Sequence, residues 1–380
     1  MRIAIDATPI INRSGTGYYT QKLIEFLGRA DSENQYVLFC PSGYQRHLER
    51  PAMFHYPNFH VEQVRIFNQG WQVAWKQLAL PRLVRKFNPD IIHFPAFIAS
   101  LRLDLPSVLT VHDLCYSLFP ETFSRVHRHY YKYMIPRSIA HCDAIIVDSL
   151  STRKDLLERV KTKNGSVKTV HLGVDPVTFF KVTDEERRAA VRDKYALPQL
   201  FLLSVGTLEP RKNIPSLIRA FSYGVVAKAL PHHLVVTGRR GWLFDEIFRE
   251  VGLLNLSGRI HFPGYVDQAD LPALYSMAQA LVYPSLYEGF GLPCLEAMSC
   301  GTPVIASGVS SLPEIVAQNA LKVDPLSVDS IAEALNKICV DSDLREQLSE
   351  AGIRHASRFS WLTTAKKTLE VYADTRNQAS

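Results

Sequence analysis

Short apolar runs alternate with segments of helical periodicity along this 380-residue chain, and this alternation restricts the fold more than any other feature. The runs Ile3–Ala7, Tyr36–Cys40 and Phe201–Val205 are typical of buried strands, and helical patterns such as Gln72–Lys86 and Ser151–Val160 separate such runs. Strands that alternate with helices of this length indicate a parallel sheet. The sequence therefore predicts a doubly wound α/β fold.

A charged segment from Gly173 to about Pro198, which also contains Pro176, interrupts the alternation, and the pattern restarts after it. We interpret this segment as a linker. A chain of this length also exceeds the usual size of a single hydrophobic core. We therefore predict two Rossmann-like α/β domains that face each other across a cleft, the first over residues 1–175 and the second over residues 176–358.

The composition is that of a soluble globular protein, with 47% hydrophobic and 21% charged residues. No apolar run approaches the ~20 residues that span a bilayer. The N-terminal sequence MRIAIDATPI predicts a strand rather than a signal peptide, because Asp6 interrupts its short apolar stretch. The six cysteines form no CxxC pair, which favours reduced thiols and a cytoplasmic location.

Basic residues are concentrated in the first half of the chain. Residues 1–180 hold 22 Lys and Arg against 15 Asp and Glu, and the remainder holds 21 against 22. This asymmetry is expected either for contact with an anionic partner or for a generally basic surface. Residues 125–137 (RVHRHYYKYMIPR) interleave basic and aromatic side chains, so they are expected either to meet anionic lipid or a diphosphate-linked acceptor, or to form a solvated face with buried tyrosines. The chain lacks the charge and the modules typical of nucleic-acid binding.

Two candidate sites follow strands of the first domain. Gly15 and Gly17 lie in a loop after the first strand, where a doubly wound sheet binds its ligand, although Thr20 in place of a third glycine argues against a dinucleotide. A glycine turn without chemical importance is the alternative. His112 ends another strand, where a neutral imidazole could bind a sugar hydroxyl while Asp113 orients it or fixes the loop. The alternative is a histidine bonded to a backbone carbonyl.

A third candidate site is the segment Val205–Asn213, which follows the first strand of the second domain. Gly206 is followed there by Arg211 and Lys212, and a planar guanidinium beside a mobile ammonium suits a pyrophosphate. An exposed basic turn is the alternative.

The fourth candidate site is the stretch Tyr283–Gly301, in which a strand is followed by a loop with Gly289 and Gly291 and then by a helix. A glycine loop at a helix N-terminus binds anions. Two glutamates, Glu288 and Glu296, bracket that loop eight residues apart, and they would repel a phosphate unless they met hydroxyls. The ligand is therefore expected to be anionic at one end and hydroxylated at the other, as a sugar nucleotide is. The alternative for Glu296 is an exposed position on its helix.

Taken together, these segments resemble the retaining glycosyltransferases of family four, which have the GT-B fold. GTLEPRKN is similar to the diphosphate segment of that family, and EGFGLPCLE is similar to its motif of two glutamates eight residues apart. The His112 strand end, HLGVD (His171–Asp175) and FSW (Phe359–Trp361) match as well, so the resemblance covers essentially the whole chain. It implies that residues 359–380 form a helix that crosses back to the first domain.

The resemblance also implies a role for each candidate residue. Lys212 and Arg211 would hold the donor diphosphate, Glu288 the hydroxyls of the transferred sugar and Glu296 the ribose. His112 would contact the sugar near the reacting centre. The other donor-binding positions would act through their backbone: Gly15, Gly17, Gly206, Tyr265, Val266, Gly289, Phe290, Gly291 and Leu292. Tyr265 and Val266 belong to the segment expected to meet the nucleobase.

One position departs from the pattern of the family. Many members carry a basic residue directly after the strand-end glycine, where this chain has Thr207. The diphosphate charge is then expected to rest on Lys212, Arg211, the helix N-terminus and either Arg239 or Arg240. No convincing metal site is found, because Asp341-Ser342-Asp343 lies between predicted helices and is interpreted as a helix cap. No cofactor is expected besides the donor.

The donor implied by the resemblance is GDP-mannose or a related GDP-sugar. The implied acceptor is a glycan or a polyprenyl-diphosphate-linked oligosaccharide of cell-surface polysaccharide assembly, reached at the inner face of the plasma membrane. The residues alone do not name guanine, so transfer from a UDP-sugar stays open. A nucleotide-sugar epimerase and a non-catalytic scaffold of the same fold are the remaining alternatives.

Overall fold

The computed structural model describes residues 1–12, 14–48, 54–66, 74–163 and 165–379. Contacts divide the chain into two compact units. Unit 1 contains Met1–Leu118, Phe123–Gly173 and Ser360–Ser380, and unit 2 contains Phe119–Thr122 and Val174–Phe359. None of the described helices is both long and apolar enough to cross a membrane.

Within its described residues, unit 1 is built on a seven-stranded parallel sheet in the order β3-β2-β1-β4-β5-β6-β7. Its strands are β1 (Arg2–Asp6), β2 (Gln35–Pro41), β3 (Phe59–Val64), β4 (Ile91–Phe94), β5 (Ser107–Val111), β6 (Ala144–Val147) and β7 (Val167–Thr169). Its helices are α1 (Gly15–Ala30), α2 (Leu80–Phe87), α3 (Cys115–Leu118), α4 (Arg125–His141) and α5 (Leu150–Arg159). The central strands are buried on both faces, which explains why they appear in the sequence as continuous apolar runs.

Unit 2 repeats this plan, with a six-stranded parallel sheet in the order β10-β9-β8-β11-β12-β13. Its strands are β8 (Phe201–Val205), β9 (His233–Thr237), β10 (Ile260–Gly264), β11 (Ala280–Tyr283), β12 (Val304–Ser307) and β13 (Leu321–Val323). Its helices are α6 (Glu185–Lys194), α7 (Ile214–Phe221), α8 (Asp245–Leu253), α9 (Leu271–Met277), α10 (Leu292–Ser299), α11 (Leu312–Val316), α12 (Val328–Val340) and α13 (Ser342–Ala356). The predicted doubly wound α/β fold is confirmed.

The last helix, α14 (Trp361–Ala379), belongs to unit 1. The Trp361 ring packs edge-on against Tyr18 of α1, with 5.9 Å between the ring centroids. Tyr372 lies 2.7 Å from Nδ1 of the buried His93, and the Thr364 hydroxyl donates to the carbonyl of His171. These contacts fix α14 against α1 and the sheet of unit 1.

Three local predictions need correction or qualification. The charged segment interpreted as a linker contains α6, because Asp184 caps the first turn by accepting from the N–H groups of Glu186 and Arg187. The first helix begins at Gly15, so Gly15 and Gly17 lie in its first turn rather than in the predicted loop. Of the helix expected over residues 72–86, residues 72 and 73 lie outside the described part, and a π-helical turn (Trp75–Ala79) leads from there into α2.

Candidate active site

The predicted basic pair and the first glutamate meet at one edge of the sheet of unit 2. Arg211 and Lys212 lie in a single helical turn (Pro210–Lys212) after β8, and Glu288 lies in the loop after β11. Strands β8 and β11 are parallel neighbours. Their carboxyl ends therefore lie side by side, which brings together residues that are 76 positions apart in the sequence.

Ion pairs connect the side chains of Arg211 and Lys212 to nearby carboxylates. Nζ of Lys212 lies 2.6 Å from Oε1 of Glu288, and Nη1 of Arg211 lies 2.7 Å from Oε2 of the same carboxylate. Arg211 also donates through Nε and Nη2 to Glu209, at 3.0 and 2.6 Å. Lys212 donates in addition to the hydroxyl of Tyr283. Glu209 was not among the predicted site residues, although it stands in the same motif, GTLEPRKN.

Both members of the Lys212–Glu288 ion pair are largely buried. Lys212 is 9% exposed and Glu288 is 7% exposed. Burial alone raises the pKa of Glu288, but the adjacent Arg211 and Lys212 outweigh it and hold that pKa at about 2. Glu288 is therefore a carboxylate at neutral pH. Burial also lowers the pKa of Lys212, an effect that the charge of Glu288 opposes.

Gly206 makes room for the lysine. A Cβ atom built on Gly206 would lie 3.1 Å from Cε of Lys212, and the φ of +149° at this position is one that other residues rarely adopt. The role of Gly206 as a donor contact stays a prediction. Its lack of a side chain is explained by the position of Lys212, which a Cβ atom would crowd.

The loop from Gly289 to Leu292 leads into α10, as the sequence predicted. Gly291 has a φ of +108°, and a Cβ atom there would lie 2.6 Å from Leu312, so only glycine fits without movement. The Ser311 hydroxyl lies 2.9 Å from the carbonyl oxygens of both Glu288 and Phe290 and holds the loop in place. Phe290 itself is buried, and Leu292 is half-buried at the start of the helix.

The remaining predicted donor contacts of unit 2 are Glu296, on α10, and the segment that follows β10. Glu296 is half-buried and accepts a hydrogen bond of 2.9 Å from the Tyr275 hydroxyl, so the alternative of a fully exposed glutamate is wrong. Tyr265 is 50% exposed, and the guanidinium of Arg239 lies 4.8 Å from the centroid of its ring. Val266, next to it, is buried.

His112 lies at the end of β5 in unit 1, and both of its ring nitrogens have partners. Nδ1 lies 2.7 Å from Oδ2 of Asp148, and Nε2 lies 2.9 Å from the carbonyl oxygen of Pro95. A carbonyl only accepts, so Nε2 carries a hydrogen, and an ionised Asp148 requires another on Nδ1. Burial lowers the pKa of His112, but the charge and hydrogen bond of Asp148 outweigh it, and the net pKa is raised.

One detail is added to the prediction for His112. The partner that orients its ring is Asp148, which was not among the predicted residues. Asp113 instead accepts from the N–H of Cys115 and fixes the loop, the second of the two roles considered for it. The backbone bond to Pro95 is the plainer alternative that the sequence left open, and it is present. Asp148 ends β6, the neighbour of β5, so a search of adjacent strand ends would have found it.

The two N-terminal glycines differ in their surroundings. A Cβ atom on Gly15 would meet no atom of the described residues within 4 Å, so among those residues nothing covers the first turn of α1 at this point. On Gly17 it would lie 1.9 Å from the carbonyl oxygen of Asn12. Close backbone packing therefore explains Gly17, whereas a ligand could approach Gly15.

Comparison with known proteins gives this arrangement a family. The family described as "Glycosyl transferases group 1" matches residues 187–355, and "Glycosyltransferase Family 4" matches residues 13–178. An O-antigen chain mannosyltransferase B of Escherichia coli is 33% identical over 290 residues, which are 76% of this chain and 75% of that protein. The serotype-specific mannosyltransferase WbdA of Escherichia coli is 30% identical over 322 residues, 80% of this chain but only 39% of that longer protein.

Among solved structures, sucrose-phosphate synthase from Thermosynechococcus elongatus superimposes with a TM-score of 0.79 over 100% of both chains, at 23% identity. That similarity concerns the fold alone, and it agrees with the two parallel sheets described above. The family matches and the 33% identical relative show that this chain is a glycosyltransferase of family four, and its fold is GT-B.

Proposed function

We propose that the protein is a retaining mannosyltransferase that uses GDP-mannose. In this proposal it transfers mannose to a glycan or a polyprenyl-diphosphate-linked oligosaccharide during assembly of an O-antigen-like surface polysaccharide. The observation that carries the proposal is the buried carboxylate of Glu288, held between Lys212 and Arg211 at the carboxyl end of the sheet. The names of the two relatives, both mannosyltransferases of Escherichia coli, support the choice of sugar.

The chemistry of the cluster suits a sugar joined to a diphosphate. An ionised Glu288 accepts hydrogen bonds, which makes it a partner for sugar hydroxyls. Lys212 uses two of its three ammonium hydrogens on Glu288 and Tyr283, and within the described residues the third has no partner. That hydrogen is available to a phosphate oxygen. The positive groups and the amides at the start of α10 would then stabilise the charge that develops on the leaving diphosphate.

The transfer we propose needs no separate general base. The bond between the anomeric carbon and the phosphate oxygen breaks, and the acceptor oxygen bonds to the same face of the sugar. The acceptor hydroxyl passes its proton to the departing phosphate oxygen. The roles of the protein are to hold the donor and to stabilise the diphosphate.

A panel of donors tests this function. The protein is incubated with GDP- and UDP-sugars, with and without lipid-linked acceptors. A glycosylated acceptor formed from GDP-mannose is the expected result. An altered donor sugar without transfer would indicate an epimerase, no reaction would indicate a scaffold, and transfer from UDP-sugars alone would overturn the proposed donor.

We further propose that α4 contacts anionic lipid at the inner face of the plasma membrane, where a polyprenyl-linked acceptor would be met. The first turns of this helix present Arg125 and Arg128 to solvent, and Val126 is 78% exposed. Tyr133 is 56% exposed, and the guanidinium of Arg137 lies 3.5 Å from the centroid of its ring. Basic residues beside exposed apolar and aromatic ones are typical of interfacial helices.

Vesicle flotation tests this contact. Binding to vesicles that contain anionic lipid is expected to weaken with added salt, and each basic residue contributes about 1 kcal/mol. A variant with Arg125→Glu and Arg128→Glu should lose most of the binding. The same charge change on α2, Arg82→Glu with Arg85→Glu, is the control and should keep it. The contact would be ruled out if the wild type does not bind, or if its binding changes neither with salt nor in the variant with Arg125→Glu and Arg128→Glu.

A further inference from the structure

The charge balance of the cluster in unit 2 raises a question about the donor diphosphate. Arg211 is engaged by the carboxylates of Glu209 and Glu288, and Lys212 by that of Glu288. Two cations therefore face two carboxylates before any ligand arrives. A diphosphate adds negative charge on each of its phosphates. Another cation close by would help to offset this charge, and Thr207, directly after Gly206, does not supply one.

The loop after β9 runs beside this position. The N–H of Leu208 donates to the carbonyl of Arg239 at 2.8 Å, and the N–H of Gly241 donates to the carbonyl of Leu208 at 3.1 Å. A Cβ atom on Gly241 would lie 2.8 Å from Cγ2 of Thr207, so the two loops are in close contact. The backbone of Arg239 is therefore fixed next to Thr207.

The two arginines of this loop point to different surroundings. The guanidinium of Arg240 lies 5.4 and 5.3 Å from the ring centroids of Phe244 and Phe248. Arg239 is exposed, and its guanidinium lies over the ring of Tyr265, in the segment expected to meet the nucleobase. Arg240 is exposed as well, and among the residues that the structure describes no carboxylate forms an ion pair with either arginine. Their charges are therefore not already neutralised, unlike those of Arg211 and Lys212. What distinguishes Arg239 is its position over Tyr265.

We propose that Arg239 binds the diphosphate of the donor and supplies the cation that Thr207 does not. Arg240, held against two phenylalanine rings, does not take this role. The proposal rests on the proposed function in one respect, namely that the ligand is a nucleoside diphosphate sugar. A guanidinium suits this task because it can donate to two oxygens of one phosphate at once.

Calorimetric titration of the intact protein with GDP, GMP and guanosine tests the proposal. Arg239→Gln should weaken GDP binding about tenfold or more, since a hydrogen bond to a charged group is lost. It should leave guanosine binding unchanged. Arg240→Gln is the matched control and should bind all three as the wild type does. Circular dichroism of both variants establishes that they are folded.

Three results would overturn the proposal: GDP binding by Arg239→Gln equal to the wild type, an equal loss for guanosine, or an equal loss in Arg240→Gln. A wild-type protein that binds no nucleoside diphosphate would instead refute the proposed function. If the wild type prefers UDP, the same series is run with UDP, UMP and uridine, and the same comparisons decide.

Discussion

Replacing Asp148 by asparagine tests the charge state of His112. The carboxylate of Asp148 accepts from Nδ1 of His112 at 2.7 Å, and the two side chains are 3% and 11% exposed. Other groups also face the pair: the hydroxyl and ring of Tyr19, the neighbouring Asp113, and His93 beyond Thr110. None of these replaces the direct bond to Nδ1.

The expected loss follows from this geometry. Removing one partner of a buried ion pair costs about 3–5 kcal/mol, and a hydrogen bond to a charged group contributes about 1.5–3 kcal/mol. Asparagine keeps an acceptor for Nδ1 and removes only the charge, so the lower range applies. We expect Asp148→Asn to lower the local free energy of unfolding by about 1.5–3 kcal/mol near pH 6.

The dependence on pH distinguishes a lost charge from a general defect. The pKa of His112 is raised in the folded protein, so its stabilising contribution is complete below about pH 6.5 and is lost as the pH rises through the folded value. Each unit by which the folded pKa exceeds the unfolded one is equivalent to about 1.4 kcal/mol. The difference between the wild type and Asp148→Asn should therefore be largest near pH 6 and shrink toward pH 9.

Hydrogen exchange of the β5 and β6 amides measures this local stability at each pH. Asp374→Asn is the control, because Asp374 is exposed and lies 3.9 Å from an exposed lysine, Lys168. That variant should match the wild type throughout. A difference between the wild type and Asp148→Asn that does not change with pH would refute a charged His112.

Three further predictions concern unit 2 and the reaction. Glu288→Gln should lower kcat/KM for transfer about 100-fold or more in steady-state kinetics while the protein stays folded. Glu250→Gln, which alters the ion pair between Arg219 of α7 and Glu250 of α8, is the control and should retain activity. Gly291→Ala should destabilise the protein by about 1–3 kcal/mol in thermal unfolding, because its φ is +108° and Leu312 fills the space for Cβ. Gly252→Ala, with nothing within 4 Å of its Cβ position, should be neutral or stabilising, and equal effects of the two changes would contradict this reasoning. Transfer should continue undiminished in excess chelator, and its loss with recovery on adding a divalent ion would contradict a metal-independent reaction.

The sequence predicted the sheets well because parallel strands are buried on both faces and stand out as apolar runs. It also predicted that Lys212 and Glu288 both follow strands of the second domain, but it did not predict their direct ion pair. The helix α6 was missed because its exposed charged residues resemble a linker, and only the cap at Asp184 indicates it. Local composition carries little information about a helix that buries so few of its side chains.

Pairings that depend on strand order could not be predicted in the same way. Asp148 is 36 residues from His112, and the two meet because β6 is the neighbour of β5. The neutralisation of Arg211 by Glu209 depends on side-chain directions within one turn, which the motif alone does not give. The choice between Arg239 and Arg240 likewise needed the positions of Tyr265, Phe244 and Phe248.

Transfer of radiolabelled mannose from GDP-mannose to a polyprenyl-diphosphate-linked glycan, by the wild type and by Glu288→Gln, tests the central claim most directly. We predict labelled lipid-linked product with the wild type, joined with the anomeric configuration of the donor, and almost none with the variant. Equal labelling by the two proteins would contradict the assignment of the Glu288 cluster as the donor site. Label that enters the product only from a UDP-sugar would contradict the proposed donor.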